Sequence, residues 1–169
     1  MKKILPALVP GFAAGVLAIV PIAKNFGCCL IIPAAAVAAV FLEQASKGSK
    51  GEVEMSRALV LGLLTGIFAA LFGSAFDIFV TLVTKNNELV SAFGELQKVL
   101  SNMPLSDDVK QQVSDLFAGM IKEIQTTGFS FIYAISMFVN NMISNVVFGL
   151  IGGLIGAKIF NSRNQAMNG

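Results

Sequence analysis

The sequence predicts an all-α integral membrane protein with four transmembrane helices and an extramembrane amphipathic helical hairpin between spans three and four. Hydrophobic residues make up 55% of the 169 residues and charged residues only 13%, against about 25% charged in soluble domains. The charged residues lie in clusters that leave four long apolar runs. The charged segment before the last run has the period of amphipathic helices. A soluble domain of this length has no core large enough to bury so much apolar surface.

The apolar runs give the positions of the spans, because a helix needs roughly 20 mostly apolar residues to cross a bilayer. The predicted spans cover about residues 4–23, 25–42, 58–83 and 128–160. The first run is longer than the apolar core of a signal peptide, which has about 7–15 residues, so we expect it to be retained. Residues 1–84 and 128–169 are assigned to the transmembrane bundle, and residues 85–127 to an extracytoplasmic hairpin.

The distribution of Lys and Arg favours cytoplasmic termini. With the N-terminus inside, seven Lys and Arg residues face the cytoplasm and five face the outside, as the positive-inside rule requires. The outer segment, residues 85–127, has four Lys and six acidic residues, so its net charge is −2. We therefore predict a multi-pass membrane protein, in contact with the lipid bilayer, with both termini cytoplasmic.

The first and third spans resemble each other in sequence. The segment Ala7–Gly15 aligns with Ala58–Gly66 at five of nine positions, including both glycines. A duplicated helical hairpin accounts for this match, with the outer segment inserted into the second copy. Chance similarity between two segments drawn from the few residue types of membrane spans is the alternative.

Glycines recur four residues apart in three of the four predicted spans. This spacing puts both glycines on one helix face, where the backbone of another helix can approach closely. Packing inside the chain's own bundle and packing against a second copy or a partner subunit both fit the pattern. The candidate helix-packing residues are Gly11, Gly15, Gly62, Gly66, Gly149, Gly152, Gly153 and Gly156.

The outer segment has two apolar stripes that predict a helical hairpin. Its candidate seam residues are Leu89, Phe93, Leu96, Leu100, Val109, Val113, Leu116 and Met120. Their spacing of three and four is that of a coiled-coil seam. A turn is predicted around Pro104, with Ser106 as the N-cap of the second helix. Few helix breakers flank the segment, so the third and fourth spans are expected to continue into a projecting hairpin; helices lying flat on the membrane are the alternative.

One ionisable residue, Asp77, lies inside a predicted span, and such residues are candidates for function. Counting along the helices puts a polar group of the fourth span at a similar height. The members of this candidate intramembrane cluster are Asp77, Asn140, Asn141, Ser144 and Asn145. A stabilising polar contact between two helices and a cation or proton site are the two interpretations.

Several kinds of chemistry are not expected. The chain has no histidine, which removes the commonest general base and metal ligand. It has no phosphate-binding loop, nucleophile elbow or dinucleotide fingerprint. The adjacent Cys28 and Cys29 lack the spacing of a metal site. We expect no enzyme activity, no cofactor, no metal and no nucleic-acid partner.

The second half of the chain has a Gly-rich span, a charged helical segment and a final Gly-rich span that ends in lysine. The residues of this pattern are Gly62, Gly66, Asp77, Gly149, Gly153, Gly156 and Lys158. In this pattern the chain resembles small four-span bacterial inner-membrane proteins that form a family of unknown function. The resemblance implies the architecture and no activity.

Two hypotheses for the function follow from these observations. The first is a non-catalytic structural or assembly subunit, a homo-oligomer or part of a larger membrane complex, that interacts through its Gly-rich helix faces and the outer hairpin. The alternative is a small transporter or channel in which Asp77, Asn140, Asn141 and Asn145 line a polar path.

Overall fold

The computed structural model describes residues 4–20, 27–48 and 51–168, and these residues form helices and short connections with no β-strand. Among these described residues, the six α-helices are α1 (Leu5–Leu17), α2 (Ile32–Lys47), α3 (Met55–Thr84), α4 (Glu88–Asn102), α5 (Asp107–Thr127) and α6 (Phe131–Asn168). A π-helical turn, Gly27–Ile31, leads directly into α2. The predicted all-α class is therefore confirmed.

Three helices are long and apolar enough to cross a membrane. These candidate spans are Cys29–Lys47, Met55–Thr84 and Phe131–Ala166, which is consistent with a multi-pass membrane protein. Helix α1 has 13 residues and rises about 20 Å, less than the roughly 30 Å thickness of the hydrocarbon core. The predicted first span reached residue 23, and its last residues lie outside those described. The described residues thus give three candidate spans and one shorter apolar helix.

The chain forms two compact units. Unit 1 contains Met1–Phe76 and Phe138–Gly169, and unit 2 contains Asp77–Met137. Unit 2 is larger than the predicted hairpin, residues 85–127, because it includes the end of α3 and the start of α6.

Unit 1 is a bundle in which α3 and α6 approach each other at four glycines. A Cβ atom added to Gly62 would overlap the carbonyl oxygen of Gly149, and one added to Gly153 would overlap that of Ala58. A Cβ on Gly66 would overlap the carbonyl oxygen of Asn145. The two backbones are in direct contact here, so any side chain at these positions forces the helices apart.

The other two helices of unit 1 join the bundle through the remaining candidate glycines. A Cβ on Gly11 would lie 2.7 Å from the Cβ of Phe68 in α3, and one on Gly15 would lie 2.9 Å from the backbone nitrogen of Gly73. Gly152 and Gly156 of α6 contact α2, at Pro33 and Val37 respectively. Helices α1 and α2 also pack against each other. All eight candidate glycines therefore make contacts within the chain.

Unit 2 contains α4 and α5, which pack against each other. The expected continuous passage from the spans into the hairpin is wrong at both ends. Helix α3 ends at Thr84, and Lys85, which follows it, has the left-handed φ of 52°. Asn87 is the N-cap of the next helix, and its side chain accepts a hydrogen bond from the Val90 N–H. Helix α5 ends at Thr127, and its C-cap Gly128 has φ 82°. A left-handed residue breaks an α-helix, and Lys85 gave no sequence signal for one.

The glycine contact between α3 and α6 can be tested by matched glycine substitutions. We expect Gly62→Ala to lower the free energy of unfolding by about 1–3 kcal/mol, because the methyl group overpacks a backbone contact. Gly94 lies inside α4 with no atom within 4 Å of an added Cβ, so Gly94→Ala should be neutral or stabilise the protein by up to about 1 kcal/mol. Unfolding of both variants in detergent measures the difference, and equal effects would contradict the contact.

Candidate functional site

The predicted intramembrane cluster divides between the two units. In unit 1 the Asn141 amide donates a hydrogen bond to the Ser74 hydroxyl at 3.0 Å, and Ser74 is 2% exposed. Asn145 is buried, Ser144 is half-buried and Asn140 is exposed. The partner of Asn141 is thus the Ser74 hydroxyl on α3. This contact links α3 to α6 on the C-terminal side of Gly66 in α3.

Asp77 belongs to unit 2 and has a partner that was not predicted. The Tyr133 hydroxyl donates to Asp77 Oδ2 at 3.5 Å. Tyr133 is the only tyrosine of the chain, and it lies on α6, three residues after the buried Ser130. In the sequence, only the residue type of Tyr133 and its position at the start of the last span pointed to this hydrogen bond.

The predicted hairpin seam fits α4 better than α5. Leu89, Phe93 and Leu96 are partly buried and Leu100 is buried. On α5, Val113 is partly buried and Met120 is buried, but Val109 and Leu116 are 41% and 49% exposed. The partly buried Phe117 and the buried Ile121 lie beside these positions. The buried face of α5 is therefore shifted by about one residue from the predicted seam, so that the large Phe117 side chain lies on it.

A buried ion pair connects α2 to α3, and both of its residues belong to a charge cluster between the predicted second and third spans. Glu43 of α2 is 2% exposed, and its Oε1 accepts hydrogen bonds from Arg57 Nε at 2.8 Å and from Nη2 at 2.5 Å. Lys47 lies one turn further along α2, with Nζ 3.4 Å from the same oxygen. The other oxygen, Oε2, is buried and has no hydrogen-bond partner among the described residues. Removing one partner of such a pair leaves an uncompensated charge.

The signal for this pair was the position of Glu43 on the helix. Ala36, Ala39 and Val40 are fully buried on α2, and Glu43 continues their spacing of three and four. A residue on that stripe faces the core.

The end of α6 holds the connection between α2 and α3 through amide side chains. The Val53 N–H donates to Asn161 Oδ1 at 2.7 Å, and Asn161 Nδ2 donates to the Val53 carbonyl at 3.0 Å. Asn164 donates to the carbonyl of Gly51 at 3.3 Å, and Gln165 donates to the Glu52 carboxylate at 3.2 Å. A single asparagine thus satisfies both backbone groups of a buried residue.

The residues described form no group of three or more His, Cys, Asp or Glu side chains that could hold a metal ion. Cys29 is exposed with a free thiol, and the side chain of Cys28 lies outside the description.

Comparisons with known proteins give no relative for this chain: no family model, no curated protein and no solved structure matches it.

The Asn161 contact predicts a local effect on the connection between α2 and α3. We expect Asn161→Ala to speed amide hydrogen exchange of Val53 by about tenfold or more, because the buried N–H loses its acceptor and the carbonyl loses its donor. Ser162 is exposed, so Ser162→Ala is the matched control and should leave the rate unchanged. Hydrogen exchange followed by mass spectrometry measures both. Equal protection of Val53 in the two variants would show that the contact does not hold the segment.

Proposed function

We propose that the chain is a non-catalytic integral membrane protein that acts as a structural or assembly subunit, or as an interaction scaffold. The observation that carries this proposal is a set of exposed apolar side chains around the turn of the α4–α5 hairpin. The members of this apolar turn are Val99, Met103, Leu105 and Val109, which are 54%, 46%, 42% and 41% exposed. Exposed apolar side chains that lie close together are typical of surfaces that bind a partner.

The hairpin is a better assembly surface than the glycine faces. All eight candidate glycines contact the chain's own helices, which supports packing inside the bundle as their role. The segment from Lys85 to Glu123 carries ten of the chain's charged residues, so it does not lie in hydrocarbon. Its apolar turn therefore meets either water or a partner, and a partner removes the cost of exposure.

The finer features belong to the same proposal. We assign α1 to a fourth, short membrane helix and the hairpin to the outer side of a bacterial inner membrane, with both termini in the cytoplasm. The partner is a second copy or a larger membrane complex, and no nucleic acid, cofactor or enzymatic reaction is involved.

A small transporter or channel is the second candidate function. The partly buried contact between Asn141 and Ser74 and the pair formed by Asp77 and Tyr133 favour it, because polar groups at membrane depth often line solute paths. This candidate ranks second because Asn141 and Ser74 satisfy each other, as groups in a packing contact between helices do.

The assembly role predicts that the hairpin turn controls the oligomeric or complexed state. We expect Val99→Ser with Leu105→Ser to shift the purified protein from an assembly to a monomer. Each serine removes an apolar contact that the assembly would bury, worth roughly 1–2 kcal/mol. Gln112→Ser, on an exposed position of α5, is the control and should keep the assembly. Native mass spectrometry of the detergent-solubilised protein measures both, and a wild type recovered only as a lone monomer would oppose the proposal.

The proposed orientation predicts the accessibility of the hairpin. In a background of Cys28→Ser and Cys29→Ser, the variant Asp108→Cys should react with a membrane-impermeant maleimide added to intact spheroplasts. Asp108 is exposed in the first turn of α5, so the thiol is reachable if it lies outside. Ser162→Cys, on the exposed face near the end of α6, should react only after the membrane is opened. The reverse pattern would invert the orientation.

A further inference from the structure

The two junctions that flank the α4–α5 hairpin are built in the same way. Each has a residue in the left-handed conformation, Lys85 after α3 and Gly128 after α5. In each junction a threonine precedes this residue, and its hydroxyl accepts a hydrogen bond from the N–H two positions further on. The distance is 3.3 Å to the Thr84 hydroxyl and 3.2 Å to the Thr127 hydroxyl. Both helices therefore stop at a short turn that is held by local hydrogen bonds.

The two junctions lie side by side within unit 2. A Cβ atom added to Gly128 would lie 2.5 Å from the carbonyl oxygen of Leu82, in the last turn of α3. Lys85 Nζ donates a hydrogen bond to the carbonyl of Thr126 at 2.9 Å. Two breaks in neighbouring segments define one axis across the root of the hairpin, because a rotation at one junction can be matched by a rotation at the other.

The surroundings of the junctions favour rotation there. Residues 82–86 and 125–127 are exposed, and exposed backbone hydrogen bonds are typical of segments that open at low cost. A left-handed conformation is unfavourable for lysine, so the Lys85 backbone gains by leaving it. Helices α4 and α5 pack against each other. Known hinges likewise consist of a few residues at the ends of rigid elements.

We propose that the α4–α5 hairpin turns as one body about the junctions at Lys85 and Gly128, and that the hydrogen bond from Lys85 Nζ to the Thr126 carbonyl is its latch. Helix α5 has 21 residues and is about 30 Å long. A turn of about 20° therefore moves its far end, and the apolar turn with it, by roughly 10 Å. The hinge does not depend on the assembly role, because it concerns where the apolar turn lies and not what binds there.

Distances between two spin labels test the hinge. One label is attached at Asp108→Cys, at the far end of α5, and the other at Ile135→Cys, an exposed position of α6 in the same unit. Both are made in the full chain with Cys28→Ser and Cys29→Ser, and measured in detergent by pulsed electron resonance. The protein with Lys85 should give one main distance. Lys85→Met should raise the population at a second distance roughly two- to tenfold, the effect of losing one hydrogen bond.

Two controls separate the latch from general loosening. Lys98 is also an exposed lysine, with Nζ 2.8 Å from Glu95, so Lys98→Met should leave the distances unchanged. A second pair of labels, at Ala92→Cys and Asp108→Cys, reports the distance between α4 and α5 inside the hairpin. This distance should be the same with Lys85 and with methionine in its place.

A second substitution of Lys85 separates the latch from the backbone conformation. Lys85→Asn also removes the ammonium group, but asparagine tolerates the left-handed conformation, so it should raise the second population as Lys85→Met does. Circular dichroism and gel filtration establish that each variant is folded. An unchanged distribution in both Lys85 variants would overturn the proposal. So would a changed distance inside the hairpin, which would mean that α4 and α5 separate and do not turn together.

Discussion

The contact between α3 and α6 at Gly62, Gly66, Gly149 and Gly153 is the constraint on which the bundle depends. Between helices in a membrane the hydrophobic effect contributes little, because lipid tails are as apolar as leucine. Dispersion between closely packed atoms must hold the helices, and it falls steeply as they separate. At Gly62 the carbonyl oxygen of the other helix occupies the space where a side chain would begin. The same close packing at glycines recurs between α1 and α3 and between α2 and α6. The bundle is therefore built from close contacts at helix backbones.

The polar contacts of unit 1 complete this packing at its ends. Once the helices are close, a carboxylate such as Glu43 is buried at 2% exposure, and it is stable there only with cations beside it. Arg57 supplies the main partner from α3, and the Asn161 amide satisfies the Val53 backbone from α6. The first contact joins the consecutive helices α2 and α3, and the second joins residues 108 positions apart. Together they select one arrangement of the helix ends, whereas glycine packing alone permits sliding.

The helical class and the approximate positions of α2 to α6 follow from charge clusters and apolar periodicity, because both report directly on burial. Three features of the structure do not follow from these patterns. The left-handed Lys85 that follows α3 has no signal in the sequence, since lysine has no preference for that conformation; in the structure its side chain donates a hydrogen bond to the Thr126 carbonyl of α5. The turn of the inward face of α5 toward Phe117 depends on side-chain volumes across the hairpin, which spacing does not contain. The pairs Glu43–Arg57 and Asp77–Tyr133 need three-dimensional proximity between residues separated by 14 and 56 positions.

The candidate spans and the charged segment from Lys85 to Glu123 favour different surroundings, and this difference determines how an exposed apolar side chain is interpreted. On the candidate spans an exposed Val83 or Phe131, at 67% and 66%, is what a lipid environment favours and needs no partner. On the charged segment from Lys85 to Glu123 the same exposure has a cost, because that surface belongs in water. Single exposed apolar residues are ordinary on soluble surfaces, but the apolar turn has four within one short stretch. Under the proposed assembly role, the apolar turn is therefore the surface where we expect the partner to bind.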